Sequence, residues 1–154
     1  MKQVVKWLLV VSFVMAMAGA ARAQERGTPA DAKQMVEDAL AHIKQVGPAQ
    51  AFQDFMVPGG KWHKKDIYLL CIDLDGTMTC SGANKAMVGK NLIDFKSADG
   101  QPLIKNLVDL AKTKGSGWVE YQWPHPQTGK MEAKRTYVAK IPGFDGLVGA
   151  GAYK

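Results

Sequence analysis

Apolar positions recur at helical spacing early in the chain and at strand spacing later, with the change of period near residue 60. Thr28-Pro29-Ala30-Asp31 reads as a helix start, with Thr28 as N-cap, Pro29 in the first helical position and Asp31 in the first turn. Met35, Val36, Ala39, Leu40, Ile43 and Val46 follow three and four apart and form one apolar face. Gly47-Pro48 breaks that helix, Ala49 to Met56 resumes it briefly, and Pro58-Gly59-Gly60 closes the helical half. Ile67 to Asp73 is then a compact strand-type run, and Asp75-Gly76 supplies a tight turn into a second strand, Thr77 to Cys80. Gly82 to Asp94 has no clear period. Gln101 to Lys114 predicts a helix with Leu103, Leu107, Leu110 and Ala111 on one face and Gly115 as stop. Gly117 to Trp123, Met131 to Ile141 and Leu147 to Tyr153 predict three more strands, joined by the hairpin loops Pro124 to Gly129 and Pro142 to Gly146. A long leading helix followed by a mostly antiparallel sheet of about five strands is an α+β domain.

The first residues bear on compartment. Lys2 and Lys6 precede an apolar run from Leu8 to Ala18, and Ala21-Arg22-Ala23 offers a small-x-small cleavage site before Gln24. That order is the pattern of a secretory leader. The run is too short to span a bilayer, which takes about 20 apolar residues. The expected organisation is a leader at 1–23, a short tether at 24–27 and one domain at 28–154, periplasmic or secreted, with no membrane span once the leader is gone. Cleavage would leave 131 of the 154 residues, enough to bury a core without staples. It would also lower the net charge from +6 to +3, because Lys2, Lys6 and Arg22 leave with the leader. The remaining basic residues are scattered rather than gathered in a stripe, so nucleic acid is not an expected partner. They favour anionic small ligands instead.

Asp73-Leu74-Asp75-Gly76-Thr77, at the end of an apolar strand, resembles the first motif of haloacid-dehalogenase-type phosphatases. In that chemistry the first Asp attacks phosphorus, the second handles the leaving-group proton and Mg²⁺ neutralises the phosphate. The scheme also needs a late acidic pair for the metal, whereas Asp94, Asp99, Asp109, Glu120, Glu132 and Asp145 are isolated. A hairpin turn that wants Asp and Gly for their backbone preferences explains the motif more simply. His42, His63 and His125 lie far apart without metal-ligand spacing, and His125, between two prolines, reads as a surface turn residue. No metal, cofactor or catalytic residue is expected.

The second half carries a further pattern. Tyr68 is followed by Asp73-x-Asp75-Gly76, Gly82-Ala83-Asn84 and Gly89-Lys90-Asn91, and then by Asp99-Gly100. Gly117-Trp118-Val119-x-Tyr121-x-Trp123, Pro126-x-Thr128-Gly129, Lys134-x-x-Tyr137-Val138 and Gly149-x-Gly151-x-Tyr153 complete the series. In order and spacing it resembles the single Cache domain, a PAS-like extracytoplasmic sensor of bacterial chemoreceptors and kinases that also occurs free-standing in the periplasm. The likeness covers roughly residues 28–154. It departs at Cys80-Ser81, where many members carry a His. It implies a long N-terminal helix packed on a PAS-like antiparallel sheet, and a small pocket rather than a signalling output of its own.

Alternation along the third strand puts Val119, Tyr121 and Trp123 on one face and Trp118, Glu120 and Gln122 on the other. Two aromatics with polar tips can form a pocket wall, and Lys134 on the next strand can bring a positive charge to it. The same residues would equally serve as plain core. The resemblance favours a pocket, since Cache domains of this type bind small carboxylates such as acetate, pyruvate or lactate on one sheet face. Tyr121, Trp123, Lys134 and Tyr137 are the expected ligand residues, with Tyr68 as a weaker candidate. Lys134 and Tyr137 are three apart, so strict alternation opposes them unless a bulge intervenes. The expected function is a non-catalytic sensing or binding module for a short organic acid, with a membrane receptor or kinase as the possible partner. The alternatives are a protein-interaction subunit with a degenerate pocket and, last, the phosphatase.

The two cysteines depend on the turn. If Asp75-Gly76 forms a two-residue turn, Cys71 falls opposite Cys80, and an oxidising compartment would allow a disulfide. With a three-residue loop the register slips by one and the thiols point to opposite faces.

Overall fold

Helix α1 (Pro29–Val46) begins at its expected cap: the Asp31 amide donates to Thr28 Oγ1 at 3.1 Å, and Thr28 N–H donates to the Asp31 carboxylate at 3.0 Å. These bonds hold the Asp31 carboxyl well below the usual carboxylate range, with Lys64 assisting at 3.0 Å. Gly47, with φ of 83°, ends α1, and Pro48 starts helix α2 (Pro48–Phe55). The computed structural model describes residues 25–154, so the expected leader and its cleavage site lie outside the described residues.

Six strands follow, β1 (His63–Lys64), β2 (Ile67–Asp73), β3 (Met78–Ser81), β4 (Ser116–Pro124), β5 (Met131–Lys140) and β6 (Gly146–Tyr153), with helix α3 (Leu103–Lys114) between β3 and β4. The sheet is antiparallel in the order β1-β2-β6-β5-β4, and β3 also pairs with β2. The one strand beyond the expected five is β1. It is two residues long and joins β2 through a turn at Lys65, whose φ of 60° is left-handed, so it has no periodicity to reveal it.

Period-2 alternation divides the sheet between two cores. Ile67, Leu69 and Cys71 of β2, with Val148, Ala150 and Ala152 of β6, pack under α1 and α2. Ile72, Met78, Val138 and Leu147 face the other way, against Leu103, Ile104, Leu107 and Val108 of α3. The central strand β6 is buried at every position, and its small residues let both layers approach. Among the described residues no helix is long and apolar enough to cross a membrane.

The β2–β3 hairpin resolves the cysteine question in an unexpected way. Asp73 N–H donates to the Thr77 carbonyl at 2.8 Å, which closes a three-residue loop, Leu74-Asp75-Gly76, rather than the two-residue turn. Alone, that loop would set the thiols on opposite faces. A register shift between Cys71 and Ile72, however, leaves Thr79 as an extra residue on β3. The bulge restores the pairing of Cys71 with Cys80, whose Cα atoms are 4.7 Å apart and whose sulfurs are joined.

Candidate functional site

On the α3 side of the sheet a cavity of about 210 Å³ opens between β2, β3, β4 and α3. Its walls are mostly apolar. Leu70 and Met78 come from the sheet, Leu103, Ile104 and Leu107 from α3, and Met87 from the connecting segment. Ser81, Asn84, Tyr68 and Tyr121 are the residues of its lining that carry side-chain oxygen atoms, and Trp123 completes the β4 wall.

Alternation explains which of the expected residues meet. Tyr121 and Trp123 are two apart on β4 and share the cavity face, their rings packed edge to face with centroids 6.0 Å apart. Tyr121 is paired with Lys134 across the β4–β5 ladder, and its hydroxyl bonds to Thr136 Oγ1 at 2.7 Å. Lys134 is 1% exposed. Its ammonium donates to Tyr68 Oη at 2.8 Å and lies 3.9 Å from the Tyr68 ring centroid and 4.8 Å from that of Tyr153. Four expected residues therefore converge: Tyr68, Tyr121, Trp123 and Lys134. Lys134 reaches the cavity through Tyr68 rather than lining it directly.

Tyr137 does not join them. No bulge separates it from Lys134, and β5 pairs in unbroken register with β4 and β6. Its ring faces the α1 layer, 5.1 Å from the Trp118 ring, with Lys33 Nζ 5.8 Å above it. Tyr137 is thus corrected from ligand candidate to a half-buried residue packed against the core on the opposite face.

Burial dominates the electrostatics. Desolvation pushes the Lys134 ammonium down from 10.5 to about 7, and Asp66 acts against it. Burial also pushes the phenols of Tyr68, Tyr121 and Tyr153 up, so at neutral pH they remain protonated donors. Because Lys134 donates to the Tyr68 oxygen, the Tyr68 proton points away from the ammonium. The site therefore places a buried positive charge behind Tyr68 and an apolar chamber in front of it.

Several site groups escaped the sequence reading. Thr136 and Tyr153 share the face with Lys134, and period-2 spacing from Lys134 would have found Thr136. Gly151 is required by close approach, since a Cβ there would collide with Thr136 Oγ1 and Lys134 Cε. His125 is 1% exposed rather than at the surface, and it bonds Asp66 at 3.2 Å across 59 residues of sequence, a separation that no local pattern reveals.

The Asp73-x-Asp75 motif lies at the other end of β2 and serves the turn. Asp75 Oδ1 accepts the Thr77 amide at 2.9 Å, and Gly76 takes the φ of 97° that the loop needs. Among the described residues no His, Cys, Asp and Glu group of three or more could hold a metal ion.

A family model described as single Cache domain 2 matches residues 2–154. The chain belongs to the single Cache domain family. One relative is the sensor histidine kinase MctS of Rhizobium johnstonii, 32% identical over 89 residues, which are 58% of this chain and 19% of the kinase. Another is the methyl-accepting chemotaxis protein McpP of Pseudomonas putida, 28% identical over 88 residues, 57% of this chain and 16% of the receptor. The chain thus spans less than a fifth of the length of these relatives. Among solved structures, a Cache chemosensory domain described for carboxylic acid recognition superposes with a TM-score of 0.69 at 23% identity, covering 80% of this chain and 91% of that one. A methyl-accepting chemotaxis protein of Vibrio parahaemolyticus gives 0.68 at 21% identity, covering 80% and 86%. These likenesses establish the fold, three helices on a six-stranded antiparallel sheet of Cache type.

Proposed function

We propose that this Cache domain is a non-catalytic sensing module for a short monocarboxylic acid, acting through a membrane receptor or kinase. The observation that carries the reading is Lys134, a buried ammonium with no carboxylate paired to it among the described residues, placed behind a tyrosine that lines an apolar cavity. Burying a charge without a directly bonded counter-ion is costly, and an anion entering the cavity would offset that cost. A carboxylate in the cavity would accept from the Tyr68 hydroxyl and sit close to the Lys134 charge, while its short carbon chain fills the space beside Trp123 and α3. The volume suits an acid of two to four carbons rather than a large ligand. The carboxylic acid recognition described for the similar chemosensory domain supports the same ligand class.

Export supports the same assignment. The leader pattern at 1–23, cleaved before Gln24, would deliver residues 28–154 to the periplasm or beyond it. The partner follows from the relatives, a sensor kinase and a chemoreceptor in which the matched region is a small part of the whole.

A thermal-shift screen at pH 6 against acetate, propionate, pyruvate, lactate and succinate tests the ligand class. Stabilisation by one or more monocarboxylates is expected. A flat response to the whole panel would favour instead an interaction subunit with a degenerate pocket.

A further inference from the structure

Behind the cavity, Asp66, His125 and Lys134 are all buried to within 2% of full enclosure. Asp66 follows the left-handed Lys65 in the β1–β2 turn, two residues before Tyr68. Its Oδ1 accepts the Gly27 amide at 2.6 Å and its Oδ2 faces His125 Nε2 at 3.2 Å. The other ring nitrogen, His125 Nδ1, receives the backbone N–H of Gln127 at 3.3 Å. A backbone N–H can only donate, so Nδ1 is the unprotonated acceptor, and Nε2 carries the proton that goes to Asp66. His125 is then neutral, and the negative charge of Asp66 is not cancelled by its hydrogen-bond partner.

The opposite charge lies at the same end of the sheet. The His125 ring packs on Tyr153 with centroids 4.6 Å apart, and the Tyr153 ring lies 4.8 Å from Lys134 Nζ. We propose that Asp66 is the countercharge of Lys134, held at one remove by neutral His125 and the Gly27 amide, and is thereby a positioning residue for the anion site. One remove matters, because a carboxylate bonded directly to Lys134 would neutralise the charge that a ligand meets across Tyr68. Asp66 supports the ammonium without competing for it. Its influence runs in this direction, raising the affinity of Lys134 for its proton against the effect of burial. The other groups facing Lys134 are the phenols of Tyr68 and Tyr153, with Tyr121 beyond Thr136, and α3 presents Leu103, Ile104 and Leu107 to the cavity without a charge.

This inference deepens the carboxylate reading and rests on it for its purpose, but its test needs no ligand. Lysine Cε–Hε resonances are followed by NMR across pH in the ligand-free protein and in Asp66→Asn, with Lys134→Met identifying the signal. Asn retains an oxygen for the Gly27 amide. The Lys134 midpoint is expected near pH 7 in the wild type and about one unit lower in Asp66→Asn. At pH 7 the charged fraction would then fall about fivefold, and anion affinity with it, while near pH 5 the two proteins come within about a tenth of each other. A merely structural role for Asp66 would lower affinity at every pH and leave the midpoint in place. An unchanged midpoint overturns the proposal, whereas failure of every acid to bind wild type overturns only the ligand reading. If Asp66→Asn alone does not fold, the double variant with Lys134→Met, which removes the orphaned charge, is expected to recover folding. No recovery would also overturn the proposal.

Discussion

Replacing Lys134 by Met should make the protein more stable at pH 6 and progressively less advantaged as the pH rises. The fall of the Lys134 pKa from 10.5 to about 7 corresponds to about 5 kcal/mol against the charged form, at about 1.36 kcal/mol per pKa unit. Met has a similar length and no charge, so it removes that cost. It also takes away the donor to Tyr68 Oη, a loss of about 1–3 kcal/mol for a buried polar group. Burial of the charge is the larger effect, and a net gain of about 3 kcal/mol is expected at pH 6. Folded Lys134 releases its proton near pH 7 while the unfolded chain holds it to 10.5. Between those values the unfolded state binds more protons, so wild-type stability rises with pH by up to about 1.4 kcal/mol per unit. The variant lacks this slope, and the gap should close by about pH 9. The raised tyrosines act only above pH 10 and the lowered Asp31 only below about pH 4, and both are common to the two proteins. Urea denaturation followed by circular dichroism at pH 6, 7.5 and 9 reads the difference directly. Parallel stability profiles for wild type and Lys134→Met would show that the ammonium carries no buried-charge cost.

Three further outcomes follow from the geometry. Gly151→Ala should cost about 1–3 kcal/mol through overpacking and displace Thr136 and Lys134; an unchanged melting temperature would contradict the close approach at that glycine. Cys71 and Cys80 should form a disulfide in protein purified from an oxidising compartment, and mass spectrometry finding two free thiols would refute the bulge-restored register. The exported product should begin within a residue or two of Gln24 by intact-mass measurement, and a membrane-bound product retaining residues 1–23 would refute cleavage.

Local chemistry made much of this fold legible. Thr28 and Asp31 marked the start of α1 as the reciprocal pair of a capping box, Pro29 because its fixed φ suits the first helical position, and Gly115 marked the end of α3 as a left-handed cap. Alternation placed Tyr121 and Trp123 on one face, and applied strictly it already separated Tyr137 from Lys134. What stayed hidden depended on distant partners. A lysine is rarely buried, and Lys134 becomes so only because Tyr68 and Tyr153, from β2 and β6, close around it. His125 is enclosed against Asp66, which lies in the short turn between the two-residue strand β1 and β2. The Thr79 bulge left no mark in sequence either, since a three-residue loop plus one extra residue pairs Cys71 with Cys80 just as a two-residue turn would.

Under the proposed function, Lys134 holds a small carboxylate through its charge. Calorimetric titration at pH 6 of wild type and Lys134→Met with the best monocarboxylate from the screen tests it most directly. Lys134 meets the anion across Tyr68, and a charge pair at about 8 Å with an effective dielectric of about 20 is worth about 2 kcal/mol, so the variant is expected to bind about thirtyfold more weakly. Equal affinities in the two proteins would show that the anion is held elsewhere.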